Sequence, residues 1–290
     1  MLTLPTFSIV TPSFRQLDWL RLAIASVADQ EEVTIEHIVQ DAGTEGVNEF
    51  FQSNIAANRE RHSVKLFVEK DAGMYDAVNR GLTKAHGDIC AYLNCDEQLL
   101  PNVLARVAGF FHKHPEVEVV FGDSILIDKH GNPLSYRRTV LPLFSYVQHV
   151  QLNTPTCSTF FRRTVIDRGL LFDPQWKVIG DQVWIENLIR ADVRMATLAE
   201  PLAVFTFTGQ NLSSTAVSQE EGARHGRPQS MMTRLRRAAE IISHRMRKLA
   251  AGAYRFREVD IEIYTLDSPS VRQRRRAKRV GFGWPRAKAG

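Results

Sequence analysis

The order of apolar runs along these 290 residues predicts an α/β fold: a doubly wound, mostly parallel sheet with helices on both faces, followed by a basic helical tail. Three observations carry this. Short strand-like runs alternate with stretches of helical apolar spacing through the first 122 residues. A continuous apolar run, Ile89 to Leu93, is bounded by Gly87-Asp88 and by Asn94-Cys-Asp-Glu97, the pattern of a central parallel strand buried on both faces. Charge is also split: residues 224–290 hold 18 Lys and Arg against 5 Asp and Glu, a net of +13, leaving the first 223 residues at −8 within an overall +5.

In order, Phe7 to Thr11 reads as a first strand and Trp19 to Val27 as a helix. Ile35 to Val39 and Val64 to Val68 read as the next two strands, and Met74 to Ala85 as the helix before the Ile89 strand. Val103 to Phe111 is a helix, Val117 to Phe121 a strand, and Lys129-His-Gly-Asn-Pro133 the turn of a hairpin with arms 125–127 and 134–136. A helix is expected from Gly180 to Ile189, and two short strands at 195–198 and 203–207. With 44% hydrophobic residues the chain can bury a large core. The expected division is 1–215, with halves 1–122 and 123–215, and a tail over 216–290.

Ligands of open α/β sheets bind outside the carboxyl ends of the strands. Thr11 and Pro12 close the first strand, Asp41 the second, and Asn94, Asp96 and Glu97 follow the Ile89 strand, so all reach that edge. A hard divalent cation needs only one or two protein carboxylates when phosphate and water complete its shell, and Asp96 is the expected ligand. Taken alone, Asn94 to Glu97 reads equally as a polar turn, and Asp41 as a cap ahead of Gly43. Asp181 alone reads as ordinary helix capping.

The run Asp71-Ala-Gly-Met-Tyr-Asp-Ala-Val-Asn-Arg-Gly81, followed by Asn94-Cys-Asp-Glu97, resembles the signature of family 2 glycosyltransferases over about residues 7 to 214. That resemblance implies a GT-A fold, inverting chemistry, a nucleotide-diphosphate sugar donor and Mg²⁺ or Mn²⁺. It assigns Thr11, Pro12, Asp41, Asp71, Asn79, Asn94 and Asp96 to the donor, Asp96 also to the metal, and Asp181 to the general base. Helix-to-sheet bonding competes with ligand contact for Asp76 and Asn79. Asn94 stands where the motif often has Asp, and Glu97 where it has a second Asp. A carboxylate only accepts, so Asp41 suits the ring N–H of uracil or guanine and points to a UDP or GDP donor. Asn153 to Arg163 resembles the family's strand that shapes the acceptor site, with His149 as a further candidate beside it; Asp173 reads as turn chemistry. Thr208 to Thr215 would close over the diphosphate, or simply link to the tail.

In the tail, Leu235, Ala238, Ala239, Ile242, Met246 and Leu249 recur at helical spacing among Arg234, Arg236, Arg237, Arg245, Arg247 and Lys248. Such a helix suits an anionic membrane surface, where a polyprenyl-linked glycan acceptor would lie; packing back on the domain is the competing reading. Arg272 to Arg279 reads as disordered, and Trp284 as an interfacial anchor. Nucleic acid ranks below membrane as the anionic partner, because the basic runs lack interleaved stacking aromatics. Cys90, Cys95 and Cys157 lack metal or disulfide spacing, and no leader or apolar span is evident, so a cytoplasmic, peripherally membrane-bound protein is expected. No Gly-x-Gly-x-x-Gly follows a strand, which argues against a dehydrogenase. A sugar-phosphate nucleotidyltransferase would want a Gly-rich loop where Pro12 to Leu17 has none, and a degenerate binding module is the non-enzyme alternative.

Overall fold

The computed structural model describes residues 6–55, 61–209, 216–225 and 231–285. Strands β1 (Thr6–Ser13), β2 (Thr34–Asp41), β3 (His62–Val68) and β4 (Ile89–Tyr92) run parallel in the order β3-β2-β1-β4. Helices α1 (Leu17–Ala28), α2 (Val47–Asn54) and α3 (Met74–Thr83) join them. The next elements are β5 (Glu97–Leu99), α4 (Val103–Lys113), β6 (Val119–Asp128), β7 (Pro133–Arg137) and α5 (Phe144–His149). They are followed by β8 (Thr159–Arg162), α6 (Thr164–Asp167), α7 (Gly180–Arg190) and β9 (Met195–Phe207). The sheet continues through β8, β6, β9 and β5, with β6 and β9 parallel and β8 and β5 antiparallel to their neighbours; β7 hairpins onto β6.

Alternation along the strands sorts the core into two layers. Phe7 and Ile9 of β1 with Ile89 and Ala91 of β4 pack with Val103, Leu104 and Val107 of α4. Val10, Cys90 and Tyr92 face the other way, onto Val78 and Leu82 of α3 and Trp184 and Leu188 of α7. Gly81 lets α3 approach β1, since a Cβ there would lie 2.3 Å from a Val10 methyl.

The structure departs from expectation in several places. The strand expected at 117–121 and the hairpin arm at 125–127 are one strand, β6, and Glu97 begins β5. The segments at 195–198 and 203–207 form one strand, with its register broken opposite Gly122 to Ser124. The acceptor-side strand is shortened, because Thr156–Ser158 forms a 3₁₀ turn before β8. The tail contains α8 (Ala216–Arg224) and α9 (Met231–Ala250), and Arg272 to Arg279, read as disordered, lies in a hairpin of β10 (Arg257–Thr265) and β11 (Ser268–Val280).

That correction has a clear cause. β10 alternates Val259, Ile261 and Ile263, which enter the core, with Glu258 and Asp260, which pair with Arg276 and Arg274. Arg272 is nearly buried against Asp29 and the Leu99 carbonyl, while Gln98 and Tyr264 exchange two hydrogen bonds of 2.9 Å. A run of like charge folds here because a strand of the opposite charge lies beside it. Trp284 packs against Phe205 and Phe207, each at 5.3 Å between ring centroids. Among the described residues no helix is long and apolar enough to cross a membrane.

Candidate functional site at the carboxyl edge of the sheet

The loops that leave β1 to β4 are tied to one another. Ala42 N–H donates to the Ser13 carbonyl at 3.0 Å, Glu69 N–H to the Asp41 carbonyl at 2.9 Å, and Leu93 N–H to the Val10 carbonyl at 2.9 Å. Asp41 is fully buried and accepts from Gly43 N–H at 2.9 Å, Thr44 N–H at 2.6 Å and the Thr44 hydroxyl at 2.9 Å. Its carboxylate therefore shapes the loop as a turn-closing acceptor, with Gly43 at φ +97° supplying the left-handed residue. Thr11 is also fully buried, its hydroxyl 2.8 Å from His37 Nε2, and burial holds that imidazole at about 3, hence neutral. The Pro12 carbonyl accepts the Cys95 thiol at 3.2 Å, which fastens the turn after β4 to the end of β1.

Asp71 accepts Gly73 N–H at 2.9 Å where α3 begins. Burial raises its pKa, with the charges of Asp76 and Asp41 adding to it against the Gly73 bond. Asp76 accepts Ala72 N–H at 2.9 Å and pairs with Arg80 at 3.1 Å. Asn79 uses both ends of its amide on Phe172, donating to the carbonyl at 2.7 Å and accepting the N–H at 3.0 Å. Helix-to-loop bonding is thus what the Asn79 side chain does.

After β4, Glu97 is buried and turns back to accept Asn94 N–H at 2.8 Å, while Glu97 N–H donates to the Asn94 carbonyl at 3.1 Å. Asp96, beside it, retains partial exposure. Burial raises both carboxyls, and the Asp96 charge pushes Glu97 further. A cation next to this pair would relieve that cost, so the residues fit one. No group of three or more metal-binding side chains gathers among the described residues. A cation at Asp96 would therefore take most of its oxygens from outside the chain, as Mg²⁺ does with a diphosphate.

Asp181 enters from the opposite half, on the first turn of α7. Gly180 permits this, because a Cβ there would sit 2.5 Å from the Tyr75 ring. Burial lifts the Asp181 carboxyl to about 6, against the bond it accepts from Gln182 N–H at 2.8 Å; the Tyr75 hydroxyl donates to the Val178 carbonyl at 3.0 Å. The Asp181 charge in turn raises Tyr75, Tyr92 and Glu97, so these groups and Asp96 share one electrostatic environment. Asp96 and Asp181 thus both act electrostatically on buried Glu97, as Asp41 does on Asp71. His149 lies on α5 with Nδ1 2.8 Å from the Ser145 carbonyl, and Asp173 closes a turn by accepting Gln175 N–H at 3.1 Å. Of the expected closing loop, only Thr208 and Gly209 fall among the described residues.

The sequence reading missed how α7 is held. Its N-cap residue, Ile179, offers no side-chain cap. Glu221 of α8 supplies one from a distance, accepting Lys177 N–H at 2.6 Å, Val178 N–H at 2.9 Å and Ile179 N–H at 3.1 Å. A carboxylate suits the positive end of a helix dipole. One turn further along, His225 Nε2 lies 3.0 and 3.1 Å from the two oxygens of fully buried Glu186, and Arg224 stacks over Trp176 at 4.5 Å. Lys177 reaches across to the Ala72 carbonyl beside Gly73. The acidic pair Glu220-Glu221 was the only signal, and it named no partner.

An open cleft adjoins the edge, lined by Arg15, Gln16, Trp19, Gly43, Thr44 and Thr208 among others. It lies at the β1 and β2 loops, and Asp96 and Asp181 do not line it.

Comparisons with known proteins agree with this layout. A PGL/p-HBAD biosynthesis glycosyltransferase of Mycobacterium tuberculosis is 32% identical over 42% of this chain, and the chain spans about half the length of that relative, 48%. An uncharacterized glycosyltransferase of the same species is 28% identical, covering 70% of this chain and 74% of its own. Among solved structures, Staphylococcus aureus TarS 1-349 with UDP-GlcNAc superposes with TM-score 0.55 at 15% identity, over 84% of this chain and 73% of that one. A Pyrobaculum calidifontis mannosyltransferase with GDP-Man and Mn²⁺ gives 0.54 at 15%, over 86% and 65%. The sheet and its flanking helices are thus of GT-A type. The model of Glycosyl transferase family 2 matches residues 8–169, and with more than half its length inside that match the chain belongs to this family.

Proposed function

We propose that this protein is an inverting glycosyltransferase that moves a sugar from a UDP- or GDP-sugar to a hydroxyl of a glycan acceptor. The observation that carries this reading is the match to Glycosyl transferase family 2 together with half-buried Asp181 on the first turn of α7 and Asp96 in the turn after β4, both within electrostatic reach of buried Glu97. Two acidic groups from opposite halves of the fold can serve the two sides of one displacement. Asp181 takes the acceptor proton as the hydroxyl oxygen bonds to the anomeric carbon. The anomeric bond to the diphosphate breaks on the other side, and the diphosphate leaves with the electron pair. Mg²⁺ or Mn²⁺ at Asp96 would supply charge stabilisation for that leaving group.

In this reading Pro12, Asp71, Asn94 and Asp96 form the donor side. Thr11, Asp41 and Asn79 act from behind, since the hydroxyl of the first is on His37, the buried carboxylate of the second on Gly43 and Thr44, and the amide of the third on Phe172. The glycosyltransferase relatives support a transferase, and the neighbours solved with UDP-GlcNAc and GDP-Man support a nucleotide-sugar donor. We place the acceptor glycan on a polyprenyl lipid in cell-surface polysaccharide assembly, at the inner face of the plasma membrane. The support is the basic amphipathic α9.

Calorimetric titration with UDP and GDP, each with Mn²⁺ and with chelator, tests the reading. Binding of one nucleotide that needs the metal is expected. Binding of neither nucleotide would overturn it in favour of a degenerate module, and preference for a nucleoside triphosphate would favour a nucleotidyltransferase.

A further inference from the structure

Helix α9 is mounted with its apolar side outward. Leu235, Ile242, Met246 and Leu249 are 58 to 62% exposed, and Met231 80%. At 3.6 residues per turn these five lie within about 60° of one another on the helix surface. The residues that pack are His244 and Lys248, which are buried and sit roughly 180° away. His244 stacks on Tyr146 of α5 with ring centroids 3.8 Å apart, and Arg247 donates to the Leu141 carbonyl at 2.6 Å. An amphipathic helix docked on its own domain ordinarily buries the apolar stripe. Here the polar side docks and the stripe faces out.

We infer that the outward face of α9 is a docking surface for an anionic lipid bilayer, on which the helix lies flat with the Leu235–Ile242–Met246–Leu249 stripe in the interface. The charge around the stripe selects this occupant. Arg234, Arg236 and Arg245 are exposed on its flanks, and the single acid of the helix, Glu240, is half-buried toward the packed side. A second copy of the same face would bring arginine against arginine, whereas anionic headgroups match it. The other basic segment is already committed, since Arg272, Arg274 and Arg276 of the hairpin pair with Asp29, Asp260 and Glu258.

The placement also fits the chemistry at Asp181. Helix α9 rests on α5, whose Val147 carbonyl accepts Gln182 Nε2 at 2.9 Å, one residue from Asp181. A bilayer under α9 would lie one helix away from the proposed base, so a lipid-carried acceptor could reach it. The inference rests on the proposed function only for that purpose, because lipid binding is measured without donor or acceptor.

The test is co-sedimentation of the full chain with phosphatidylcholine vesicles and with vesicles also containing phosphatidylglycerol. Binding to the anionic vesicles alone, weakened by salt, is expected. Arg234→Glu with Arg245→Glu should weaken it about tenfold or more, and Ile242→Glu with Met246→Glu should abolish it. All four side chains are exposed, so melting temperature and nucleotide binding should hold. Wild-type protein that ignores anionic vesicles, or variants that still bind them, would overturn the inference. So would a wild-type dimer in light scattering that Ile242→Glu with Met246→Glu splits into monomers. Lost nucleotide binding in the wild type would instead count against the transferase reading.

Discussion

The two sides of the candidate site are built differently. On the donor side each acidic group is held by its own loop: Asp41 by residues 43 and 44, Asp71 by Gly73, and the Asn94–Glu97 turn by its own two ends. On the proposed base side Asp181 depends on residues far along the chain, with Glu221 of α8 and His225 just after it holding the start and the second turn of α7. The acids of the proposed donor edge are therefore held mainly by near neighbours in sequence, whereas the proposed base is set by docking of a segment about 40 residues downstream, as Glu221 against Val178 and Ile179 illustrates.

That contrast can be broken from either side. Asp96→Ala should remove metal-dependent nucleotide affinity, a loss of about a hundredfold or more, and unchanged calorimetric affinity would remove Asp96 as the ligand. Glu221→Gln should lower turnover about ten- to a hundredfold by letting α7 shift, while donor affinity holds. A fall in donor affinity equal to the fall in turnover would show that the two sides are not independent. Asp41→Ala leaves three donors of its loop unpaired and should cost about 2–3 kcal/mol of stability by denaturant titration, sharply different from an exposed carboxylate.

How much was legible follows the same division. The parallel strands of the first half and the helix bearing Asp181 could be read because period, glycine placement and polar punctuation lie within a few residues. Asp41 and Asn79 were found as residues, yet their bonds to Thr44 and Phe172 were only one of the readings open. Glu221 could not be paired, because nothing in Gln219-Glu220-Glu221 specifies α7. The hairpin was missed for a different reason. Arg272 to Arg279 looked like a lone charge run until β10, with Glu258 and Asp260 at strand spacing, was placed beside it.

The smallest effect is a matter of pH. With Asp181 at about 6, its base form is lost as pH falls through that value, so turnover should drop about tenfold per unit below it. The sign for stability is opposite. A carboxyl whose folded-state pKa is raised favours the folded protein when protonated, and that contribution disappears as pH rises through about 6. Asp181→Asn should therefore melt no lower than wild type at pH 7, and a clearly lower melting temperature would argue that the ionised carboxylate is structural.

The most direct measurement is to compare wild type and Asp181→Asn for nucleotide affinity and for sugar transfer, using one preparation of each with the nucleotide that binds. The account predicts equal affinity and a loss of turnover of about a hundredfold or more. Near-normal turnover in the variant would contradict it and place the base elsewhere.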